Sequence, residues 1–424
     1  MLTAQLKPRL GAVTTAAHRP SVQLVIGRVA NAASMYIGLL LISILAGFEV
    51  RGRIDILLQA GALLALLSGL GGPLAMAYYT VRCRLTLHVV LMWYGISTLF
   101  CILVAAGVST FRGSIGLDHL DWVGVFLSLV LFGVGMNAIV ANSHVSIALN
   151  RATPILRGQV ASAVLILAIA VVSPTLFPRV SQAVVVAGFG LSYLAGSYVI
   201  WRNLVDWRQR RPTEVVPLVT FLQYGLRSAA GQVGVSVSLR GDILMVAALR
   251  PTADVGRYAT ALLLMESTQL VSSALGGMIF VGLSSAIDEK ERERRLRRYR
   301  RRLVATTALI VVSVMILAFF LQRLYFPGSQ LVLLCALLAP GYVLWVAGAT
   351  TSGLYLASIG KPGAASLGYI AGGIVMLGID VLLIPPLGLN GAAIGSSIGY
   401  GTSALFLTLA RIHNARTATQ PGFQ

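Results

Sequence analysis

The sequence predicts an all-α polytopic membrane protein, with about twelve transmembrane helices in two parallel-related six-helix bundles. Three observations carry this expectation. Apolar residues make up 57% of the chain and charged residues only 11%, against roughly 25% charged in an average soluble domain. Apolar runs of about 20 residues or more recur along the whole length, each sufficient to cross ~30 Å of hydrocarbon. The 33 Lys and Arg outnumber the 14 Asp and Glu and gather in alternate connections, the pattern of cytoplasmic loops.

Charge clusters and Pro/Gly turns divide the chain at about 22–47, 54–79, 85–108, 121–147, 155–176 and 182–201, then at about 216–249, 254–285, 303–322, 329–357, 363–384 and 390–411. Residues 1–21 form an N-terminal cytosolic tail without the uninterrupted apolar core of a cleavable signal peptide. A first bundle spans 22–201 and a polar linker 202–215; a second bundle spans 216–411, and 412–424 form a C-terminal tail. With the N-terminus inside, 24 basic residues fall on the cytoplasmic side. Six (Arg51, Arg53, Arg112, Arg179, Arg250 and Arg323) fall opposite, and three (Arg227, Arg240 and Arg257) lie within segments. Both termini are therefore expected in the cytoplasm, and the net charge of +19 reflects topology rather than nucleic-acid binding. The densest basic block, DEKERERRLRRYRRR from Asp288 to Arg302, reads as a topogenic loop facing anionic lipid. Cys83, Cys101 and Cys335 share no metal-ligand spacing.

The halves repeat weakly. Glu49-Val50 matches Asp254-Val255 at an offset of 205, each followed by Gly-Arg, and SGLGG (Ser68 to Gly72) matches SALGG (Ser273 to Gly277) at the same offset. Six crossings return the chain to its starting side, so such repeats would be parallel, with a site between them.

Enzyme chemistry finds little support. The largest outer connection is about Thr110 to Leu120, no GxxxxGK[ST] loop is present, and Asp118, His119 and Asp121 read as a solvated loop and helix start. Ionisable groups at bilayer depth say more, because each costs roughly 2.5–3.5 kcal/mol to insert. Arg227, Arg240, Asp242, Arg257 and Glu266 interrupt the seventh and eighth segments. Asp242 reads either as the ion-pair partner of Arg240 or Arg257 or as a cavity group; Arg227 and Glu266 read as cavity-lining. Arg28 and Asn31 open the first segment, where Arg28 is either a cavity group or a snorkelling one. Asn137, Asn142 and His144 mark the fourth, Asn142 and His144 as interhelical hydrogen-bonding groups. Asp380, in the eleventh, reads either as a packing contact or as a proton-coupling acid. A cavity in which these arginines outnumber the acids would suit an anion, since the guanidinium fork matches phosphate and carboxylate oxygens.

Arg240-Gly-Asp242 in an apolar helix, followed by Val255-Gly256-Arg257-Tyr258, resembles the seventh and eighth helices of polysaccharide flippases. The stretch through Pro385-Pro386 and Gly388 to Ala393 is similar to their tenth to twelfth helices. These belong to the Wzx-type branch of the multidrug/oligosaccharidyl-lipid/polysaccharide exporter (MOP) superfamily. The resemblance implies a V-shaped pair of six-helix bundles that moves a polyprenyl-pyrophosphate-linked oligosaccharide across the bacterial inner membrane by alternating access. It implies membrane lipids as surroundings, a polysaccharide polymerase and glycosyltransferases as pathway partners, and no cofactor beyond a proton or sodium gradient. Arg227, Arg240, Arg257, Arg28 and Asn31 would then contact substrate, and Asp242, Glu266 and Asp380 would balance charge or couple to the ion. A multidrug antiporter of the same superfamily is the alternative, disfavoured by the absence of Asp or Glu between Ser21 and Phe48. A membrane-embedded enzyme of glycan assembly is a more distant one. The charge asymmetry makes a direct prediction: green fluorescent protein fused after Gln424 will fluoresce, and alkaline phosphatase fused at Phe111 will be active. The reverse pattern would invert the topology.

Overall fold

The computed structural model describes residues 20–81, 84–115, 117, 120–176, 181–204, 215–284, 286, 288–359 and 361–418. Among the described residues all regular structure is helical. The α-helices are α1 (Pro20–Ser68), α2 (Gly72–Val81), α3 (Leu87–Thr110), α4 (Trp122–Ala148), α5 (Ala152–Leu176), α6 (Gln182–Arg202), α7 (Leu218–Leu249), α8 (Thr252–Ser284), α9 (Glu289–Leu324), α10 (Leu331–Leu344), α11 (Thr351–Ser358), α12 (Pro362–Leu387) and α13 (Leu389–Ala418). A 3-10 turn, Arg112–Ile115, follows α3, and a π-helical turn, Trp345–Thr350, joins α10 to α11.

Ten helical stretches are long and apolar enough to cross a membrane. The first, Val22–Ser68, has 47 residues, about 70 Å at ~1.5 Å per residue, or twice the hydrocarbon thickness. It is two crossings joined at Gly47, whose φ of 82° a side chain would disfavour. Adding α8, 33 residues long but interrupted by charge, brings the described crossings to twelve. The protein is a multi-pass, all-α membrane protein, as its hydropathy predicts.

The described chain forms two compact units. One comprises Met1–Leu41, Ala60–Phe111 and Leu120–Ala229, and the other Ile42–Gln59, Arg112–His119 and Ala230–Gln424. In the first unit, α4 packs along α6 through glycines: a Cβ on Gly135 would lie 2.3 Å from the Gly190 carbonyl oxygen, and one on Gly190 would lie 2.5 Å from the Leu131 backbone. Polar groups join neighbouring helices. Asn137 Nδ2 donates to Ser68 Oγ at 2.9 Å, Asn142 Nδ2 to Ser197 Oγ at 2.8 Å, and Trp93 Nε1 to the Gly69 carbonyl at 3.1 Å. Asn142 thus plays the interhelical role expected of it, and Asn137 does the same; His144 instead bonds its own helix through Nδ1 to the Val140 carbonyl at 2.9 Å. Side-chain caps set several helix starts, among them Asp121, which accepts from Gly124 N at 2.6 Å, the helix start read from its sequence.

In the second unit the part of α1 after Gly47 crosses the start of α8. A Cβ on Gly52 would sit 2.0 Å from the Thr252 carbonyl oxygen, and one on Gly256 would sit 1.9 Å from that of Phe48. The contact is reciprocal: each glycine meets the carbonyl four residues before the other. Gly52 and Gly256 belong to the Gly-Arg steps that follow the matched Glu49-Val50 and Asp254-Val255, one residue out of the 205 offset, and the acids beside them have comparable partners. Glu49 pairs with Arg53, and Asp254 pairs with Arg257 at 2.9 Å. The second half of the repeat is not kept in backbone shape. At SGLGG the helix breaks, with Leu70 at φ 48° and Gly71 at φ 64°, whereas residues 273–277 stay helical within α8.

Three sequence expectations need correction. Arg51 and Arg53 are not in an outer connection: both lie inside α1, and Arg51 is only 1% exposed. The basic block read as a loop is helical: α9 starts at Glu289 and runs through the block into the apolar segment predicted from about 303. Pro385-Pro386 do not form the turn; they occupy the last turn of α12, which ends at Gly388 with φ 59°.

Gly256→Ala is expected to cost about 1–3 kcal/mol through overpacking against backbone, read as a lowered unfolding temperature in detergent. Gly276→Ala, where a Cβ meets open space, should be neutral or slightly stabilising.

Candidate functional site

The α1–α8 crossing places several ionisable side chains of the second unit in one neighbourhood. One turn along α1 from Gly52, Arg51 and Asp55 form an ion pair, Nε to Oδ2 at 2.7 Å with both side chains 2% exposed. A second guanidinium nitrogen, Arg51 Nη1, is buried without a hydrogen-bond partner. Another turn inward, Gln59 Oε1 accepts from Arg240 Nη1 of α7 at 2.8 Å. Glu266, ten residues along α8 from Gly256, lies within electrostatic reach of Arg51, Asp55 and Asp242. Four ionisable groups, Arg51, Asp55, Arg240 and Glu266, on three helices thus lie in one buried region, with Asp242 nearby.

Asp242, two residues from Arg240, has turned away from the arginines. It is fully buried, and its Oδ2 accepts from Tyr258 Oη at 2.8 Å and from Ser396 Oγ at 2.7 Å. Its Oδ1 accepts from Ile243 N at 2.8 Å. Neither ion pair expected for it forms: Arg240 turns to Gln59, and Arg257 turns to Asp254. Asp380 on α12 is also fully buried, yet neither carboxyl oxygen has a hydrogen-bond partner. Its Oδ1 lies against Gly395, where a Cβ would come within 2.1 Å, so the two acids flank the Gly395-Ser396 step of α13. Tyr342 and Tyr400, both buried, pack edge to face with ring centroids 5.3 Å apart. Trp345, in the π-helical turn, packs on Tyr400 at 5.2 Å.

The predicted residues are therefore dispersed. Arg240, Asp242, Glu266 and Asp380 belong to this neighbourhood. Arg257 sits at the opposite end of the crossing, its side chain 43% exposed beside Asp254, lining a shallow cleft of about 270 Å³ with Phe48, Phe326 and Ser329. Arg28 and Asn31 lie on the first stretch of α1 in the other unit; Arg28 is exposed and within electrostatic reach of His144, and Asn31 buries its Oδ1 without a partner. Arg227 lies on α7, but its side chain is outside the described residues, as are Asp118, His119 and Cys83. Arg51 and Asp55 were missed. Their i, i+4 spacing, matched to one helix face, was the available signal, obscured by reading the basic pair Arg51/Arg53 as a loop. Among the described residues no His, Cys, Asp or Glu group is arranged to hold a metal ion.

With this geometry in view, the fold is that of the MOP superfamily. The chain is similar to an inward-facing multidrug resistance MATE family transporter of that superfamily, at TM-score 0.69 and 15% identity over 95% of this chain and 96% of the other. It is similar to the lipid II flippase MurJ in an inward closed conformation, at TM-score 0.67 and 10% identity over 92% and 87%, and to a MATE protein in its bent conformation, at 0.65 and 16% over 94% and 95%. The family model described as polysaccharide biosynthesis protein matches residues 85–327, and the chain belongs to that family. The comparison with curated proteins returned no match.

The buried pair on α1 can be tested directly. Arg51→Leu should destabilise by about 3–5 kcal/mol, because it strands the Asp55 carboxylate, whereas Arg51→Leu with Asp55→Leu should recover most of the loss. Unfolding titrations of both variants measure the difference; equal losses would mean that the two charges do not depend on each other.

Proposed function

We propose that the protein moves a lipid-linked oligosaccharide, the repeat unit of a polysaccharide, across the bacterial cytoplasmic membrane by alternating access. The observation that carries this reading is the family match over residues 85–327 on a chain whose described regular structure is membrane helix. Polysaccharide assembly needs a step that such a chain can supply: a hydroxyl-rich headgroup must pass the hydrocarbon, and each unpartnered polar group costs several kcal/mol there. The matched region includes Arg240, which already offers one guanidinium nitrogen to a neutral amide. With five N–H donors in a planar fork, Arg240 is proposed to hold a phosphate or acidic sugar, with Arg227, Arg28, Asn31 and Arg257 as further contacts along the path.

Charge balance and coupling to a proton or sodium gradient are assigned to Asp242, Glu266 and Asp380. Asp380 supports this best, since both of its oxygens are buried without a partner. The same acid favours one competing reading, a multidrug antiporter driven by a cation, which the MATE-like fold also accommodates. The termini are proposed to be cytoplasmic, and a polymerase and glycosyltransferases to act on the same substrate before and after it crosses.

A deletion strain should accumulate lipid-linked oligosaccharide on the cytosolic face. Complementation with the wild type should relieve the accumulation, and Arg240→Ala should leave it at least tenfold above wild type. A normal lipid-linked pool with altered drug tolerance would replace this reading with the antiporter.

A further inference from the structure

The basic block from Asp288 to Arg302 is not uniform, and sorting its charges by partner separates two functions. Every acid in it is engaged by the protein. Asp288 caps α9, accepting from Glu291 N at 2.6 Å. Glu289 binds Arg292 and the Tyr355 hydroxyl, Glu291 binds Arg295 at 2.5 Å, and Glu293 binds Arg411 of α13 at 2.7 Å. Arg292 and Arg295 have a second task. Arg295 Nη1 donates to the Gly282 carbonyl at 2.7 Å and Arg292 Nε to the Leu283 carbonyl at 3.2 Å, closing the C-terminus of α8 where carbonyls lack intrahelical partners.

What remains is exposed and cationic: Arg294, Arg298, Arg300, Arg301 and Arg302 have no acidic partner among the described residues, and Arg297 only a distant one, Glu293 at 3.9 Å. α9 runs unbroken from this block into its membrane crossing. The crossing exposes a broad face that includes Ala305, Ala308, Leu309, Val312, Ser313, Ile316, Leu317, Phe319 and Phe320; Leu296, Leu303, Thr307, Val314, Ala318 and Leu321 face inward. Followed backwards at helical spacing, the exposed apolar stripe continues through Arg302 and Arg301 to Arg298 and Arg294. The exposed arginines therefore continue the exposed apolar face toward the start of α9, within about three turns of Ala305. Arg294 and Arg298 also line a cleft of about 580 Å³ together with Arg295, Tyr299 and the acids Asp288 and Glu291, which are engaged by the Glu291 amide and by Arg295 respectively.

We propose that this stripe, Arg294, Arg298, Arg301 and Arg302, is a binding site for the headgroup of an anionic phospholipid of the surrounding leaflet. The recognition is phosphate by guanidinium, with the acyl chains lying along Leu309, Val312 and Ile316 of the same helix. The occupant is a lipid rather than a soluble phosphate because the cationic and apolar stripes are one continuous surface. It is not a protein docking site in this reading, since the apolar part of that surface lies at membrane depth. Polybasic segments of this kind gain roughly 1 kcal/mol per Lys or Arg at an anionic surface.

The test uses full-length protein in detergent, titrated with phosphatidylglycerol or phosphatidylcholine and read by native mass spectrometry. Wild type should retain phosphatidylglycerol in preference to phosphatidylcholine. Replacing Arg294, Arg298, Arg301 and Arg302 by Gln should weaken phosphatidylglycerol retention at least tenfold and leave phosphatidylcholine unchanged, while the same four positions replaced by Lys should recover most of it. Arg323→Gln, at the other end of α9, should have no effect. Equal phosphatidylglycerol retention by wild type and the Gln variant would overturn the proposal, as would a Lys variant as weak as the Gln one. The assay contains no transport step, so its outcome is independent of the flippase reading.

Discussion

The close approach of α1 and α8 at Gly52 and Gly256 is the constraint on which the charged neighbourhood of the second unit depends. Two helices can lie with backbone against backbone only where neither carries a Cβ, and lipid supplies no hydrophobic drive to bring them together otherwise. Because the contact is reciprocal, it sets both the distance and the rotation of the pair. That rotation turns Arg51, Asp55 and Gln59 toward α7 and α8, so that Gln59 reaches Arg240 and Glu266 comes within reach of Arg51. A larger residue at either glycine would separate the helices and turn those side chains away from one another.

The ionisable groups differ in how far the protein satisfies them, and the difference sorts them by role. Arg51 and Asp55 neutralise each other with almost no exposure, an arrangement whose desolvation cost is recovered only while both charges are present. Asp242 accepts three hydrogen bonds and is structurally tied to α8 and α13. Asp380, only a few residues away across Gly395-Ser396, has none. A carboxyl group left without partners in a buried site is costly to keep charged, which is why a group of this kind suits a step in which an ion arrives and leaves better than one in which it permanently braces two helices.

Much of the fold was legible in sequence because the membrane allows few alternatives: apolar length sets the crossings, and the backbone must be helical to satisfy itself. Gly47, at the end of the first predicted segment, is where the chain turns. Of the two sequence matches between the halves, the Gly-Arg steps that follow the first bring Gly52 and Gly256 into contact, whereas SGLGG and SALGG differ in backbone shape. What sequence reading missed shares one cause. Arg51 and Arg53 were assigned to a loop because charge was read as a boundary, yet one of them is buried by an acid four residues on, a pairing that hydropathy does not register. Asp242 was expected beside an arginine because arginines were its neighbours in sequence; its actual partners, Tyr258 and Ser396, lie 16 and 154 positions away. Spacing reveals a helical neighbour, but a partner on another helix becomes visible only with the packing.

The same distinction explains the basic block of α9. Counted as a sum, its cations record only which side of the membrane they occupy, and any order of Arg and Glu with the same total would do. Their arrangement is more particular. The four acids occupy the first turn and a half, where they suit the positive end of the helix, and each has a partner inside the protein. Two arginines close the end of α8, and the exposed arginines fall on the face that the crossing later presents to lipid. A purely topogenic charge has no reason to keep helical register with an apolar stripe several turns away, whereas a surface that holds one lipid from headgroup to chain requires that register.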